Sequence, residues 1–243
     1  MDRTYRSSDD RLADYATAFN FVEVDNACYQ VPPLEEVKSW RTRVPQEFQF
    51  AVRCNHQITH HFPFATTENH FQMMDKMEEI CKTLGAVALV LQTPARYTPS
   101  AEHLQRSEEF LSHYKNFACD LVWGPRGSAW NQGAVKEKLR KILSTHKITH
   151  CADISWETPL YSANLSYTRI FGLGVKRELE FSDLEIKTLH TRALELPRNT
   201  YITFYTQRRT VDAARLKVFD ETGQLIKPNP PRTPKYVTRH LIK

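Results

Sequence analysis

The strongest constraint on the fold is a regular alternation of short apolar segments with longer amphipathic ones along the 243-residue chain. The short segments resemble buried strands, and the longer ones repeat their apolar residues at the helical period. We predict strands at residues 21–24, 48–52, 87–91, 119–123, 148–152, 167–170 and 201–205. We predict helices at residues 11–19, 34–41, 69–84, 101–114, 135–143, 182–196 and 210–219. About seven such βα units in this length favour an α/β fold of the TIM-like (β/α) barrel type, with a doubly wound open sheet as the alternative.

Charge divides the chain into a neutral body and a basic tail. The 33 Lys and Arg residues outnumber the 28 Asp and Glu residues, which gives a net charge of +5. Residues 222–243 contain five of the basic residues, four of the prolines and no acidic residue. We therefore predict one barrel domain over residues 1–221 and a basic, Pro-rich tail over residues 222–243. Any partner attracted by net charge should meet the tail.

Composition excludes several classes of protein. No apolar run approaches the roughly 20 residues of a membrane span, and the N-terminus has no secretory signal, so we expect a cytoplasmic protein without a membrane partner. The five cysteines are widely spaced with no CxxC pair, which argues against a disulfide framework or a cysteine-based zinc site. Only seven glycines occur, and no GxGxxG or GxxxxGK[ST] motif, so we predict no cofactor.

Polar residues collect where the predicted strands end. In a parallel barrel, functional groups lie at the carboxyl ends of the strands and in the loops just after them. This rule selects Glu23, His60 and Asp153 as candidate catalytic residues, because carboxylates and imidazoles transfer protons. Guanidinium groups in the same loops would grip a phosphate or a carboxylate. The candidate ligand-binding residues are Asn26, Tyr29, Arg53, Arg126, Trp130 and Arg169.

The charged candidates also have structural interpretations, which the residues alone leave open. Glu23 could face the barrel interior as a paired structural charge. Arg126 and Arg169 could form internal salt bridges to Glu23 or Asp153 instead of holding a ligand. Asn26 is an ordinary turn residue.

Aromatic and histidine residues carry the same ambiguity. Trp123, Trp130 and Trp156 could form either a ligand-stacking wall or part of the core. His60 and His61 are adjacent, and adjacent side chains on a strand point in opposite directions, so we do not expect both to serve one metal. No HExxH or HxH pattern is present, so we predict no metal site.

Several segments resemble motifs of the DUF72 (YecE-like) family. FNFVEVDNACYQVP, residues 19–32, is similar to its "F-x-x-V-E-[IV]-[ND]-x-x-[FY]-Y-x-x-P" motif, and FQFAVRCNHQITH, residues 48–60, to its "F-x-F-x-V-K…I-T-H" segment. VWGPRGSAW resembles the archaeal form "W-E-P-R-G-x-W", and SYTRIFGLG and YITFYTQRRTVDAARLK resemble the last two strand motifs in order. The resemblance covers about residues 11–219 and implies a TIM-like barrel, but it implies no particular reaction.

The chain departs from the family pattern at the rim of the barrel. The usual Gly-rich first strand is missing, so we expect an incomplete barrel whose open edge is covered, for example by a partner chain. This chain has Gly124 where the family motif has Glu, Phe171 where it has His, and Arg53 where it has Lys. It also has Thr206 and Gln207 where the motif has two Asn residues. These losses remove candidate acid–base groups, while Glu23, His60, Arg126, Asp153 and Arg169 are retained.

Three functions follow from this pattern. The first is binding of a small anionic or phosphorylated ligand at the carboxyl mouth of the barrel, with hydrolase-type acid–base chemistry if the protein is an enzyme. The second is a non-catalytic binding protein derived from a barrel enzyme. The third is weak nucleic-acid binding through the tail, which the absence of any RRM, KH, helix-turn-helix or zinc-finger signature disfavours.

Overall fold

A computed structural model of the chain describes residues 11–172 and 181–226. Within these ranges, seven strands are mostly separated by helices, as predicted, and no helix lies between the fifth and sixth strands. The strands are β1 (Phe21–Val24), β2 (Gln49–Arg53), β3 (Ala88–Thr93), β4 (Asp120–Pro125), β5 (Thr149–His150), β6 (Ser166–Ile170) and β7 (Thr200–Phe204). The helices are α1 (Arg11–Ala18), α2 (Leu34–Thr42), α3 (His56–Thr59), α4 (Glu68–Leu84), α5 (Ala101–Ser112), α6 (Gly133–His146), α7 (Asp183–Leu194) and α8 (Arg209–Thr222).

The strands form a parallel sheet in the order of a barrel. Strands β1 to β5 pair in sequence order, and β6 pairs with β7. A parallel bridge between Ala152 and Thr168 links the two groups. At the opposite edges of the two groups, β7 approaches β1, and the ring centres of Phe21 and Tyr201 lie 4.9 Å apart. In the described part of the chain, β1 and β7 each pair with a strand on one side only. The prediction of an incomplete α/β barrel with about seven strands is confirmed.

Side chains alternate between two sides of the sheet, and this alternation places the polar site. Phe50 and Val52 of β2 belong to a large apolar layer between the sheet and the helices. Ala51 of the same strand belongs to a smaller cluster with Val90, Val122 and other residues of the barrel interior. Because successive residues of a strand point to opposite faces, Glu23 in β1 and Arg53 in β2 share the interior face.

Two segments differ in detail from their prediction. The strand expected at residues 148–152 spans only Thr149–His150, because the His150 N–H donates to the Tyr161 carbonyl 2.9 Å away instead of extending the ladder. The segment between β2 and His60, expected as a loop after the strand, contains α3, whose N-cap Asn55 accepts a hydrogen bond from the backbone N–H of Gln57. His60 therefore follows a short helix.

Helix α8 is the last helix of the described residues. Helix α8 ends at Gly223, which takes a left-handed conformation with φ of 70°. The basic residues of the predicted tail, from Lys227 onward, lie outside the described residues. No helix of the described segments has the length and apolar character needed to cross a membrane.

Candidate active site at the barrel mouth

Buried polar residues gather at the carboxyl ends of the strands. This burial is costly unless each group has partners, so their concentration at one end of the barrel marks a built site. They are Glu23, Asp25, Arg53, Asn55, Gln92, Thr93, Asp153 and Arg169.

A cavity of about 390 Å³, called here the mouth pocket, opens at this end of the barrel beside β4, β5 and β6. Its wall combines cationic, acidic and aromatic side chains. Among its lining residues are Gln92, Gly124, Arg126, Trp130, Lys136, His150, Asp153, Trp156, Glu157, Arg169 and Phe171.

Glu23 and Arg169 form a buried ion pair at the base of the pocket. The Nε of Arg169 donates to Glu23 Oε2 over 3.0 Å, and its Nη2 donates to Oε1. The hydroxyls of Tyr167 and Tyr205 donate to the same carboxylate over 2.6 and 2.9 Å. Burial raises the pKa of Glu23, but the Arg169 charge and these hydrogen bonds outweigh it, so the pKa lies below its usual value. Glu23 is therefore an ionised group with both oxygens occupied.

Arg169 keeps one donor atom outside this network. Its side chain is buried and lines the mouth pocket, and its Nη1 has no hydrogen-bond partner among the described residues. A buried guanidinium nitrogen without an acceptor costs free energy, and an anionic ligand would supply that acceptor.

Asp153 and Glu157 place two carboxyl groups in the pocket wall. Asp153 is fixed because its oxygens accept hydrogen bonds from the backbone N–H groups of Ser155, over 2.9 Å, and Phe171, over 2.7 Å. Glu157 is half-buried, and burial raises its pKa above the usual value despite a hydrogen bond from the backbone N–H of Asp153. A carboxyl group with a raised pKa is suited to donate a proton.

Cationic and aromatic groups form the rest of the wall. The guanidinium of the exposed Arg126 lies 5.0 Å from the centre of the Phe171 ring. Lys136, in the first turn of α6, also lines the pocket. Trp156 is 46% exposed at the rim, whereas Trp130 is buried and donates its Nε1–H to the Tyr97 carbonyl over 2.9 Å.

A second polar group, called here the β1–β2 cluster, lies at the ends of the first two strands and consists of Asp25, Asn26, Tyr29, Arg53, His56 and His60. Arg53 Nη1 donates to Asp25 Oδ1 over 2.8 Å, and its guanidinium lies 5.9 Å from the Tyr29 ring centre. His60 contacts the Thr59 hydroxyl through Nδ1 at 2.8 Å. Burial and the charges of Arg53 and Arg96 lower the pKa of His60 to about 4, so it is neutral near pH 7.

The structure divides the predicted site residues between these two groups. Arg126, Trp130, Asp153 and Arg169 line the mouth pocket, and Glu23 lies beneath them through its pair with Arg169. The other four predicted residues, Asn26, Tyr29, Arg53 and His60, belong to the β1–β2 cluster. No group of three His, Cys, Asp or Glu side chains in residues 11–172 and 181–226 is placed to hold a metal ion.

Sequence reasoning missed Lys136, His150 and Glu157. Glu157 follows Asp153 by four residues, and this spacing could have indicated a second carboxyl group in the same loop. Lys136 carries no such signal, because nothing in its sequence context separates it from the other lysines of α6.

Two departures from the family motifs lie in the pocket itself. Gly124 and Phe171 both line it, so the missing Glu and His would have belonged to this wall. A Cβ atom at Gly124 would lie 3.2 Å from both the Cβ and the carbonyl oxygen of Cys151. Thr206, another departure from the motifs, is not among the residues that line the pocket. Its hydroxyl donates to Asp212 Oδ2 over 3.2 Å.

Stability should depend on pH through His150. Burial and, to a lesser extent, the Lys136 charge lower the pKa of His150 to about 4, against 6.5 for an ordinary histidine side chain. The unfolded chain therefore binds more protons than the folded chain between these values, and stability falls as pH falls through this window. Between pH 7 and pH 5 we expect this group to lower the free energy of unfolding by up to about 2 kcal/mol.

Urea unfolding at the two pH values tests this expectation. His150→Gln keeps an acceptor for the backbone N–H of Leu160, which donates to His150 Nδ1 over 3.2 Å, but it cannot titrate. The variant should lose less stability than the wild type between pH 7 and pH 5. An equal loss in both proteins would contradict a neutral, buried His150.

Comparisons with known proteins agree with the motifs. A search of curated proteins found no match. A structure of a DUF72 family protein from Enterococcus faecalis V583 is similar, with a TM-score of 0.72, 18% identity, and coverage of 90% of this chain and 95% of that chain. A DUF72 family protein from Thermotoga maritima MSB8 gives a TM-score of 0.70, 19% identity, and coverage of 89% and 91%. At these identities the structures support the fold alone.

The family assignment rests on the sequence over nearly the whole length. The model of the family described as "Protein of unknown function DUF72" matches residues 2–231. The resemblance seen in the strand motifs is thereby confirmed, and this chain belongs to the DUF72 family.

Proposed function

We propose that the mouth pocket binds a small anionic ligand, with a phosphate ester as the best-fitting class. The observation that carries the proposal is the convergence of Arg126, Lys136 and Arg169 on one cavity at the carboxyl ends of the strands. Arg126 and Lys136 place their charges in the pocket wall, and Arg169 Nη1 adds a donor at the base.

If the protein is an enzyme, the pocket supports hydrolase-type acid–base chemistry. Glu157, with its raised pKa, would donate a proton to the departing oxygen, and Asp153 would orient the attacking water. Glu23 and His60 fit these roles less well. Each oxygen of Glu23 accepts two hydrogen bonds from protein side chains, and Glu23 is not among the residues that line the pocket, whereas Asp153 is. His60 lies in the β1–β2 cluster rather than in the pocket wall.

The test compares variants of the pocket with a control on the same helix. Inorganic phosphate and p-nitrophenyl phosphate should raise the melting temperature of the wild type. Arg126→Ala and Lys136→Ala should each weaken binding about tenfold or more, because each removes a charge-assisted hydrogen bond. Lys138→Ala, on the exposed face of α6 outside the pocket, should bind like the wild type. If all four proteins respond equally, or none responds, the binding proposal fails.

A non-catalytic binding protein is the second candidate, and it is favoured by the composition of the pocket wall. Gly124 and Phe171 occupy positions where the family motifs carry a Glu and a His. The one-sided pairing of β1 and β7 would also admit a partner strand. Release of p-nitrophenol that is lost in Glu157→Gln would support an enzyme, whereas binding without release supports the second candidate.

We further propose a cytoplasmic location, which the five free cysteines support, because thiols remain reduced in that compartment. Nucleic-acid binding through the tail stays a prediction, since the basic residues concerned lie outside the described residues.

A further inference from the structure

We propose that Trp156 makes the mouth pocket selective for phosphate esters that carry a planar aromatic ring, with a nucleoside monophosphate as the representative ligand. The inference rests on the anion site proposed above and adds a second contact to it. The phosphate meets the cationic wall of the pocket, and the ring of the ligand stacks on the exposed indole.

The mouth pocket is larger than a phosphate group needs. Its volume of about 390 Å³ lies within the range of about 300–1,000 Å³ that is typical of pockets for drug-sized ligands. Inorganic phosphate alone would leave most of this space to water. The ligand that fits the pocket therefore carries an organic group beside its phosphate.

Trp156 is an exposed apolar side chain in the wall of this pocket. Of the large apolar side chains that are strongly exposed among the described residues, Trp156 is the one that lines the mouth pocket. Trp130 in the same wall differs, because it is only 3% exposed and its ring centre lies 5.5 Å from that of Trp123. The protein already covers the ring of Trp130, whereas the indole of Trp156 is left for a ligand to cover.

The loop that carries Trp156 is held in place by hydrogen bonds. The backbone N–H of Trp156 donates to the Asp153 carbonyl over 3.1 Å, and the Asp153 side chain accepts from the Ser155 N–H over 2.9 Å. From α7, Nη1 of Arg192 donates to the carbonyls of Ile154 and Ser155 over 2.8 and 2.5 Å. The indole is therefore presented by an anchored loop, and stacking a ligand on it costs little ordering of the protein.

The same turn joins the indole to the two carboxyl groups of the pocket. The backbone N–H groups of Trp156 and Glu157 both donate to the Asp153 carbonyl, over 3.1 and 3.0 Å. All three residues line the pocket. A ring stacked on Trp156 therefore lies beside the carboxyl groups proposed for the acid–base step.

The test uses the full chain and two phosphate esters that differ in the base alone, adenosine monophosphate and ribose 5-phosphate. Calorimetric titration of the wild type should give a dissociation constant about tenfold lower for the nucleotide, because a base stacked on an aromatic side chain strengthens binding by this order. Trp156→Ala should remove this preference and leave the affinity for ribose 5-phosphate unchanged. Trp156→Phe should restore part of the preference, because a phenyl ring still stacks.

Phe62→Ala is the matched control, because Phe62 is also strongly exposed but lies outside the mouth pocket. It should bind both esters like the wild type. Tryptophan fluorescence gives a second readout that a merely structural role of Trp156 would not produce. The nucleotide should quench the emission of the wild type and of Phe62→Ala, and it should quench Trp156→Phe less even where that variant is saturated.

The outcomes separate this inference from the proposed anion site. The inference is overturned, and the anion site stands, if the wild type binds ribose 5-phosphate as tightly as the nucleotide. It is also overturned if Trp156→Ala weakens both esters equally, which would indicate a contact to the sugar. If neither ester nor inorganic phosphate binds to the wild type, the anion site itself fails and the inference fails with it.

Discussion

Replacement of Glu23 by Gln should lower the free energy of unfolding by about 3–5 kcal/mol, because it leaves the buried guanidinium of Arg169 without its counter-charge. The side chains of both residues are 1% exposed, so water cannot compensate for the loss. Guanidinium chloride unfolding, followed by fluorescence or circular dichroism, measures the change. Tyr205→Phe removes only one of the four hydrogen bonds to Glu23 and should cost about 1–2 kcal/mol.

The matched control is Glu35→Gln, which breaks an ion pair of similar length on the surface. Lys38 Nζ lies 2.7 Å from Glu35 Oε1, and both side chains are exposed. Such pairs contribute about 0–1 kcal/mol. Equal losses in the free energy of unfolding for Glu23→Gln and Glu35→Gln would show that the buried network does not stabilise the barrel. Glu23 would then again be a candidate catalytic residue.

The size of the expected effect follows from the position of Glu23. It lies on β1, whereas Arg169 and Tyr167 lie on β6 and Tyr205 directly follows β7. No backbone ladder joins β7 to β1 among the described residues. The side-chain network of Glu23 therefore connects the two ends of the sheet where hydrogen bonds between strands do not.

Phe64→Ala should have an effect of similar size, about 3–5 kcal/mol, through the loss of core packing. Phe64 is fully buried, and its ring centre lies 5.9 Å from that of Tyr97, 5.2 Å from Phe110 and 5.1 Å from Trp123. Removing the ring leaves a cavity among aromatic side chains that cannot collapse to fill it. The same denaturation experiment measures the loss.

Phe62→Ala is a close control for this substitution. Phe62 and Phe64 both have left-handed φ values, 50° and 58°, and alanine keeps the Cβ atom that causes strain there, so the backbone strain should change little in either variant. Phe62 is 78% exposed, and its replacement should change stability by no more than about 0.5 kcal/mol. Equal losses in the two variants would show that the ring of Phe64 does not contribute through packing.

Sequence patterns predicted the barrel well because its main layers are apolar. Strand β3 is buried along its whole length, and this burial requires the continuous apolar run with which the strand begins. The patterns failed where local polar groups decide the structure. The cap of α3 by Asn55 and the hydrogen bond from His150 to Tyr161 depend on single contacts, which no periodicity reveals.

The site was predictable only in part, for a related reason. Residues at strand ends could be selected by the barrel rule, and Arg126, Asp153 and Arg169 do line the mouth pocket. The rule cannot state which partners these residues take. The pairing of Arg169 with Glu23 was one of the alternatives left open, and only the geometry selects it. Lys136 lies on a helix rather than at a strand end, so the rule does not cover it.

The contact between position 124 and Cys151 limits which side chain this wall of the pocket can carry. A Cβ atom at Gly124 would lie 3.2 Å from both the Cβ and the carbonyl oxygen of Cys151, which is closer than ordinary van der Waals contact. Replacing the cysteine side chain would relieve the first contact but not the second. A larger residue at position 124 therefore requires the main chain at residue 151 to give by a few tenths of an ångström. The space that the pocket has beside β4 is thus set jointly with the backbone that follows β5.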